Sequence, residues 1–255
     1  MRHIQALLAR ELAAYFLGPM AYFVLLAFQV IAFLNFWDLV DSLSLPQREF
    51  STLKDPMSSY ISSSPSFWIA ILAALPVLTM RLMAEERRSG TIETLLTLPI
   101  REYEVVIAKW LAALVMYAAL LLPFAIYLPF LYRQAGFYFD LGPMVGLAIG
   151  LASMGGMMTA VGLFFSALTR NQIVAAIWTF AVFFVLVAIA PLFYFYAARQ
   201  HAAWADAVRF LALLYQVQGF ALGRLDLRVV ALHASIAVFM LYATTLVVGH
   251  RDSRA

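Results

Sequence analysis

RLMAEERRSGTIETLLTLPIREYEVVIAK, residues Arg81 to Lys109, decides how the rest of this chain is read. Ten of its 29 residues are ionisable: Arg81, Glu85, Glu86, Arg87, Arg88, Glu93, Arg101, Glu102, Glu104 and Lys109. A charge at the centre of a bilayer helix costs about 2.5–3.5 kcal/mol, and each Leu or Ile returns only about 0.3–0.6 kcal/mol. Neighbouring leucines cannot offset ten charges, so the stretch is expected to lie in water between two spans. Within it, Thr91 is placed to cap a short helix and Glu93 is an acid in its first turn. Ile92, Leu95 and Leu96 follow at i, i+3 and i+4, and Pro99 marks the end. A short helix with one apolar face, held at a membrane surface, is expected to dock on a partner.

Outward from this stretch the chain is close to continuously apolar. Of its 255 residues 64% are hydrophobic and 12% charged, with mean hydropathy +0.88. Soluble domains average about half apolar and a quarter charged. At about 20 residues per span, the length accommodates six or seven helices and little else. The absence of cysteine excludes disulfides, thiol catalysis and Cys-ligated metals.

The expected architecture is an all-α membrane protein forming a single permease-like domain over residues 1–255. Residues 1–14 carry Arg2, Arg10 and Glu11 among Ile4, Leu7, Leu8 and Leu12, the pattern of an interfacial helix. Spans are expected at about 19–37, 66–83, 105–132, 141–168, 173–196 and 229–248. Residues 38–65 read as a polar loop. Thr169 to Gln172 read as a minimal turn. Gly142, Gly146 and Gly150 recur at four-residue spacing, which lets a second helix approach closely. Residues 197–227 mix Arg199, Asp206, Arg209, Arg224 and Asp226 with Trp204, Phe210, Leu211 and Phe220. They are too charged to span and too apolar to float free, so two short extracytoplasmic helices are expected over about 200–227, hinged near Gln218–Gly219.

Six spans put both termini on one side. With the termini in the cytoplasm, ten Lys/Arg lie inside and seven outside, four of the seven in the 197–228 segment. The positive-inside rule therefore favours an N-in, C-in arrangement. No phosphate-binding G-x-x-x-x-G-K-[ST], H-E-x-x-H or G-x-S-x-G occurs, and the four histidines are scattered. Catalytic and metal-binding residues are therefore not expected. His233, inside the last span, is expected to serve as a hydrogen-bonded packing group. The spans hold almost no carboxylates, whereas a proton-coupled transporter places one at midplane. Energy for transport is expected to come from another polypeptide.

The run Glu85-Glu86-Arg87-Arg88-Ser89-Gly90-Thr91-Ile92-Glu93-Thr94-Leu95-Leu96-Thr97-Leu98-Pro99 resembles the coupling-helix signature of type-2 ABC exporter permeases. That signature has the form E-x-x-x-G-T-x-E-x-L-L-x-x-P after span 2, with a basic residue, here Lys109, at the start of span 3. Tyr215 to Arg228 is similar to the run before the last span of gliding-motility-type and nitrous-oxide-reductase-maturation-type permeases, with Val217 and Phe220 departing from its usual pattern. The resemblance implies a homodimer, or a pair with a homologous permease, in a bacterial cytoplasmic (inner) membrane. Each half would be bound by a cytoplasmic ATP-binding subunit holding ATP and Mg, with no cofactor on this chain. It further implies a coupling helix over about 90–99 that docks through Glu86, Arg87, Arg88, Gly90, Thr91, Ile92, Glu93, Leu95, Leu96 and Pro99. Arg2, Arg10 and Glu11 would form a second ATPase contact, and Gln29 and Asn35 would line a substrate path or dimer interface. Membrane lipids and an extracytoplasmic accessory protein are further expected partners; nucleic acid is not. A mechanotransmitter acting on an extracytoplasmic protein is the alternative, and a membrane-embedded enzyme or scaffold is a more distant one.

Overall fold

The computed structural model describes residues 2–44, 64–91, 101–135 and 141–252, and every regular element among them is helical. In chain order these are α1 (Arg2–Leu17), α2 (Pro19–Ser44), α3 (Pro65–Thr79), α4 (Arg81–Ser89), α5 (Glu102–Ala135) and α6 (Leu141–Leu168). After them come α7 (Gln172–Phe184), a π-helical turn (Val185–Ile189), α8 (Ala190–Arg199), α9 (Ala205–Leu211), α10 (Leu213–Ala221) and α11 (Leu227–Asp252). Six continuous stretches are long and apolar enough to cross a membrane: Pro19–Asp41, Pro65–Ser89, Glu102–Tyr127, Gly142–Leu168, Gln172–Arg199 and Leu227–Gly249. The described residues thus make an all-α protein with six candidate membrane spans.

The helix starts follow from local chemistry. Ser64 accepts a hydrogen bond from the Phe67 amide and Pro65 occupies the first turn of α3, where its missing N–H is no loss. At α5, the Glu104 carboxylate reaches back to the Arg101 amide at 3.1 Å, half of a capping box. Asn171 caps α7 by accepting from the Ile173 amide at 2.9 Å, which makes the four-residue turn sufficient. Asn171→Ala should cost about 1 kcal/mol, while Asn171→Gly should cost only a few tenths. Thermal unfolding of the purified chain would separate the two.

α6 is the hub. It packs against α3, α4, α5, α7, α10 and α11, and its glycines permit that crowding. A Cβ on Gly150 would stand 2.5 Å from the Phe220 ring of α10, and one on Gly146 would stand 2.6 Å from the Phe220 carbonyl oxygen. Further along α6, Gly155 receives Tyr117 of α5 and Gly162 receives Thr79 of α3. Three different neighbours thus use successive small residues of one helix.

Several boundaries differ from expectation. The charged stretch is not a continuous wet loop: α4 extends the second span through Ser89, and Lys109 is 1% exposed inside α5. Charged side chains exclude a segment from hydrocarbon, but they do not stop a helix from running on past it. For the same reason α2 continues through Asp38 and Asp41, where a loop was expected. The hinge of the short pair lies at Ala212, whose backbone is extended, whereas Gln218 and Gly219 are helical. Most of the 38–65 loop and residues 92–100 lie outside the described residues.

Candidate functional site: an ion-paired junction beside the charged stretch

On α1, Leu7, Glu11 and Tyr15 fall at i, i+4 and i+8 and are all buried. This face packs on the start of α5. Glu11 is thereby carried into the protein, where a charge persists only when paired. α4 turns Leu82, Met83, Ala84 and Arg87 inward and leaves Glu85 and Arg88 exposed. α5 contributes Val105, Val106, Ala108 and Lys109 to the same junction.

The three helices meet in a four-membered charge cluster. Lys109 Nζ lies 3.0 Å from Glu11 Oε1 and 2.9 Å from Glu86 Oε1. Arg10 Nη2 approaches the same two oxygens at 2.7 and 2.9 Å. Two cations and two carboxylates therefore alternate around a closed ring, with the Lys109 side chain 2% exposed and that of Arg10 48% exposed. Burial pulls the Arg10 guanidinium down, but its hydrogen bonds and charge interactions with Glu11 and Glu86 leave its pKa raised. The second Glu86 oxygen, Oε2, is buried without a hydrogen-bond partner among the described residues.

Tyr15 and Arg81 brace this ring. The Tyr15 hydroxyl donates to the Leu78 carbonyl at 2.7 Å, and burial raises its pKa well above the ordinary phenol value. Arg81 donates to the Ala14 carbonyl at 3.0 Å, lies over the Tyr15 ring and pairs with Glu85 at 3.6 Å. Ser166 of α6 holds the break between α3 and α4: its hydroxyl donates to the Met80 carbonyl at 2.8 Å and accepts from the Met83 and Ala84 amides at 3.0 and 3.1 Å. Orphan amides at the start of a helix are thus satisfied by a side chain from another one. Gly90, with φ +73°, ends α4 in the left-handed region that glycine adopts freely. A cleft of about 300 Å³ opens beside the ring, lined by Arg10, Glu11, Tyr15, Arg81, Glu85 and Glu86 among others.

The expected site residues divide across this geometry. Arg10, Glu11 and Glu86 come together, Arg87 lies buried beside them, and Arg88, Gly90 and Thr91 are exposed at the end of α4. The side chain of Arg2, and all of Ile92, Glu93, Leu95, Leu96 and Pro99, lie outside the described residues. Gln29 donates to the Tyr127 hydroxyl at 2.6 Å and is exposed on α2. Asn35 is 6% exposed and bonds to Ser64 and Ser66, so it ties α2 to the start of α3. His233 is buried between Ser153 Oγ at 3.1 Å and Gln216 Oε1 at 2.9 Å, a hydrogen-bonded packing position. Sequence reasoning missed the partnership of Lys109 with Glu11 and Glu86. Its signal was available: Lys109 is a lone cation inside the third apolar stretch, and a charge there requires a partner.

Among the described residues no group of three or more His, Asp or Glu could hold a metal. The ring instead ties an N-terminal helix, the end of one span and the start of the next into one body.

Residues 40–218 match a family model described as ABC-2 family transporter protein. No curated protein matches the chain.

Proposed function

The chain belongs to the ABC-2 family of transporter proteins, and from that premise we propose that it is the permease subunit of an ATP-driven exporter. A separate ATP-binding subunit, carrying ATP and Mg, docks at the end where α1, α4 and α5 converge. The observation that supports this reading is the Arg10–Glu11–Glu86–Lys109 ring, two of whose members, Glu86 and Lys109, flank the amphipathic 92–99 stretch in sequence. A push on that stretch meets α4 and α5 at the ring and moves both spans together. Ion pairs suit this task because their geometry is directional, whereas apolar contacts between the same helices would slide. In the working complex two permease chains pair in the membrane. The apolar surfaces of α2 and α7, with Phe23, Leu26, Phe33, Ile173 and Ile177 exposed, are the surfaces such pairing would cover.

The test is affinity purification of the full chain from its native membrane in mild detergent. A polypeptide with a nucleotide-binding P-loop should co-purify with the unaltered chain and be lost with Leu95→Asp, while both chains insert equally. Retention of that polypeptide by Leu95→Asp would remove the docking role of the amphipathic stretch.

A further inference from the structure

The opposite end of the helix bundle carries a second polar site, unrelated to the ion-paired ring. α9 and α10, between the end of α8 and the start of α11, enclose a cleft of about 260 Å³. Asp206, Arg209, Arg224 and Asp226 line it, with Gln218 and Tyr215 between them. Two guanidinium groups and two carboxylates share one small cleft, yet none of the four closes an ion pair among the described residues. Oppositely charged side chains free to move in water would gain little by pairing. All four are exposed, and two of them are engaged elsewhere. The Arg209 guanidinium lies 5.9 Å from the centre of the Tyr194 ring, and one Asp226 oxygen accepts from the Arg228 amide at 2.9 Å at the start of α11. Cations and carboxylates that line one cleft without pairing complement a ligand that carries both charges.

The surroundings fix the depth. Tyr194 packs edge-on against Tyr215 at 4.9 Å, and Tyr196 and Trp204 are exposed nearby in sequence, the aromatic belt that marks the headgroup level of a bilayer. Phe210, Leu211, Leu225 and Leu227 are exposed on the same segments and offer apolar surface to acyl chains. Arg199 lies over Phe195 at 4.5 Å, a cation kept at the same boundary.

We propose that this cleft binds the headgroup of a zwitterionic phospholipid with a primary ammonium. Its phosphate sits against Arg209 and Arg224, and its ammonium against Asp206 and the second oxygen of Asp226. A guanidinium matches phosphate geometry, and a primary ammonium donates charge-assisted hydrogen bonds to carboxylates, stronger than those from the neutral hydroxyls of a glycerol headgroup. The lipid would be a fixed component of this end of the bundle, joining α9–α10 to α11.

Native mass spectrometry of the full chain tests this, after incubation in micelles containing equal phosphatidylethanolamine and phosphatidylglycerol with identical acyl chains. The unaltered chain should retain phosphatidylethanolamine in preference by roughly tenfold, the scale of one charge-assisted hydrogen bond. Arg224→Gln and, independently, Arg209→Gln should lower retention of both lipids. Asp206→Asn should remove the preference without lowering phosphatidylglycerol, and Arg199→Gln should change neither. Equal retention of the two lipids by the unaltered chain would overturn the proposal, as would unchanged retention in both arginine variants. Displacement by equimolar soluble glycerophosphoethanolamine would also overturn it, since the bilayer-facing surface would then contribute nothing. None of these outcomes depends on an ATPase partner.

Discussion

Lys109→Met is expected to lower the stability of the purified chain by about 3–5 kcal/mol, the usual cost of removing one partner from a buried ion pair. For a protein of this size that corresponds to a fall in unfolding midpoint of roughly 6–20 °C. The methylene stem is replaced nearly in kind, so the loss reports the charge. Without the ammonium, Glu11 and Glu86 face each other with only the half-exposed Arg10 between them, and Glu86 already holds one unsatisfied oxygen. Arg10→Ala should cost less than ~1 kcal/mol because that side chain is half in water. The combined change Lys109→Met, Glu11→Leu and Glu86→Gln should recover most of the midpoint, since an apolar core of similar volume often matches a buried pair. An unchanged midpoint in Lys109→Met alone would mean that the ring contributes no net stability.

The second large effect separates two adjacent glycines. Gly155→Val should destabilise by about 2–4 kcal/mol, from overpacking together with a strained or broken hydrogen bond. A Cβ at Gly155 falls inside the Tyr117 ring, which is 3% exposed and tied through its hydroxyl to the Leu151 carbonyl at 3.0 Å. Displacing the ring strains or breaks that bond. Gly156→Ala should be neutral or stabilising by up to about 1 kcal/mol. The nearest atom to its new methyl is Trp110 Cζ2 at 3.8 Å, an ordinary contact. Thermal unfolding of the two variants side by side should give shifts of different size, and equal losses would contradict the packing at α6.

What the sequence made legible was everything governed by hydropathy and by helix chemistry. Six spans, the Asn171 turn and the helical character of residues 205–221 follow from apolar run length and caps, which are local properties. What it did not make legible depends on pairs distant in the chain. Glu11 and Lys109 are separated by 98 positions; Lys109 inside an apolar stretch signals that it needs a partner, but nothing local says which one. Only the tertiary packing of α1 on α5 converts them into a buried pair. The glycine spacing was equally visible at Gly142, Gly146 and Gly150, and one periodic stripe implied one partner. Gly146 and Gly150 of that stripe do share one partner, α10, while Gly155 and Gly162, outside it, receive α5 and α3. The hinge at Ala212 was missed because glycine was taken as the breaker, while an extended alanine between two short helices does the same work.

The wide turn at Val185–Ile189 changes how the fifth span must be counted. The Ala190 amide bonds to the Val185 carbonyl, one residue further back than in an α-helix, and Pro191 next supplies no amide. One surplus residue advances the angular phase by roughly 100°, the rotation per residue of a 3.6-residue turn. Trp178 and Phe180 on one side and Leu192 and Phe195 on the other therefore belong to two registers, and a stripe drawn at i, i+3, i+4, i+7 through the whole span would bend around the cylinder. A partner helix running straight alongside meets one set of side chains before Val185 and a differently facing set after Ile189. Deleting a single residue within that turn would bring the two registers into line, turning everything from Ala190 to Arg199 by about a quarter of a revolution while leaving the composition of the span almost untouched.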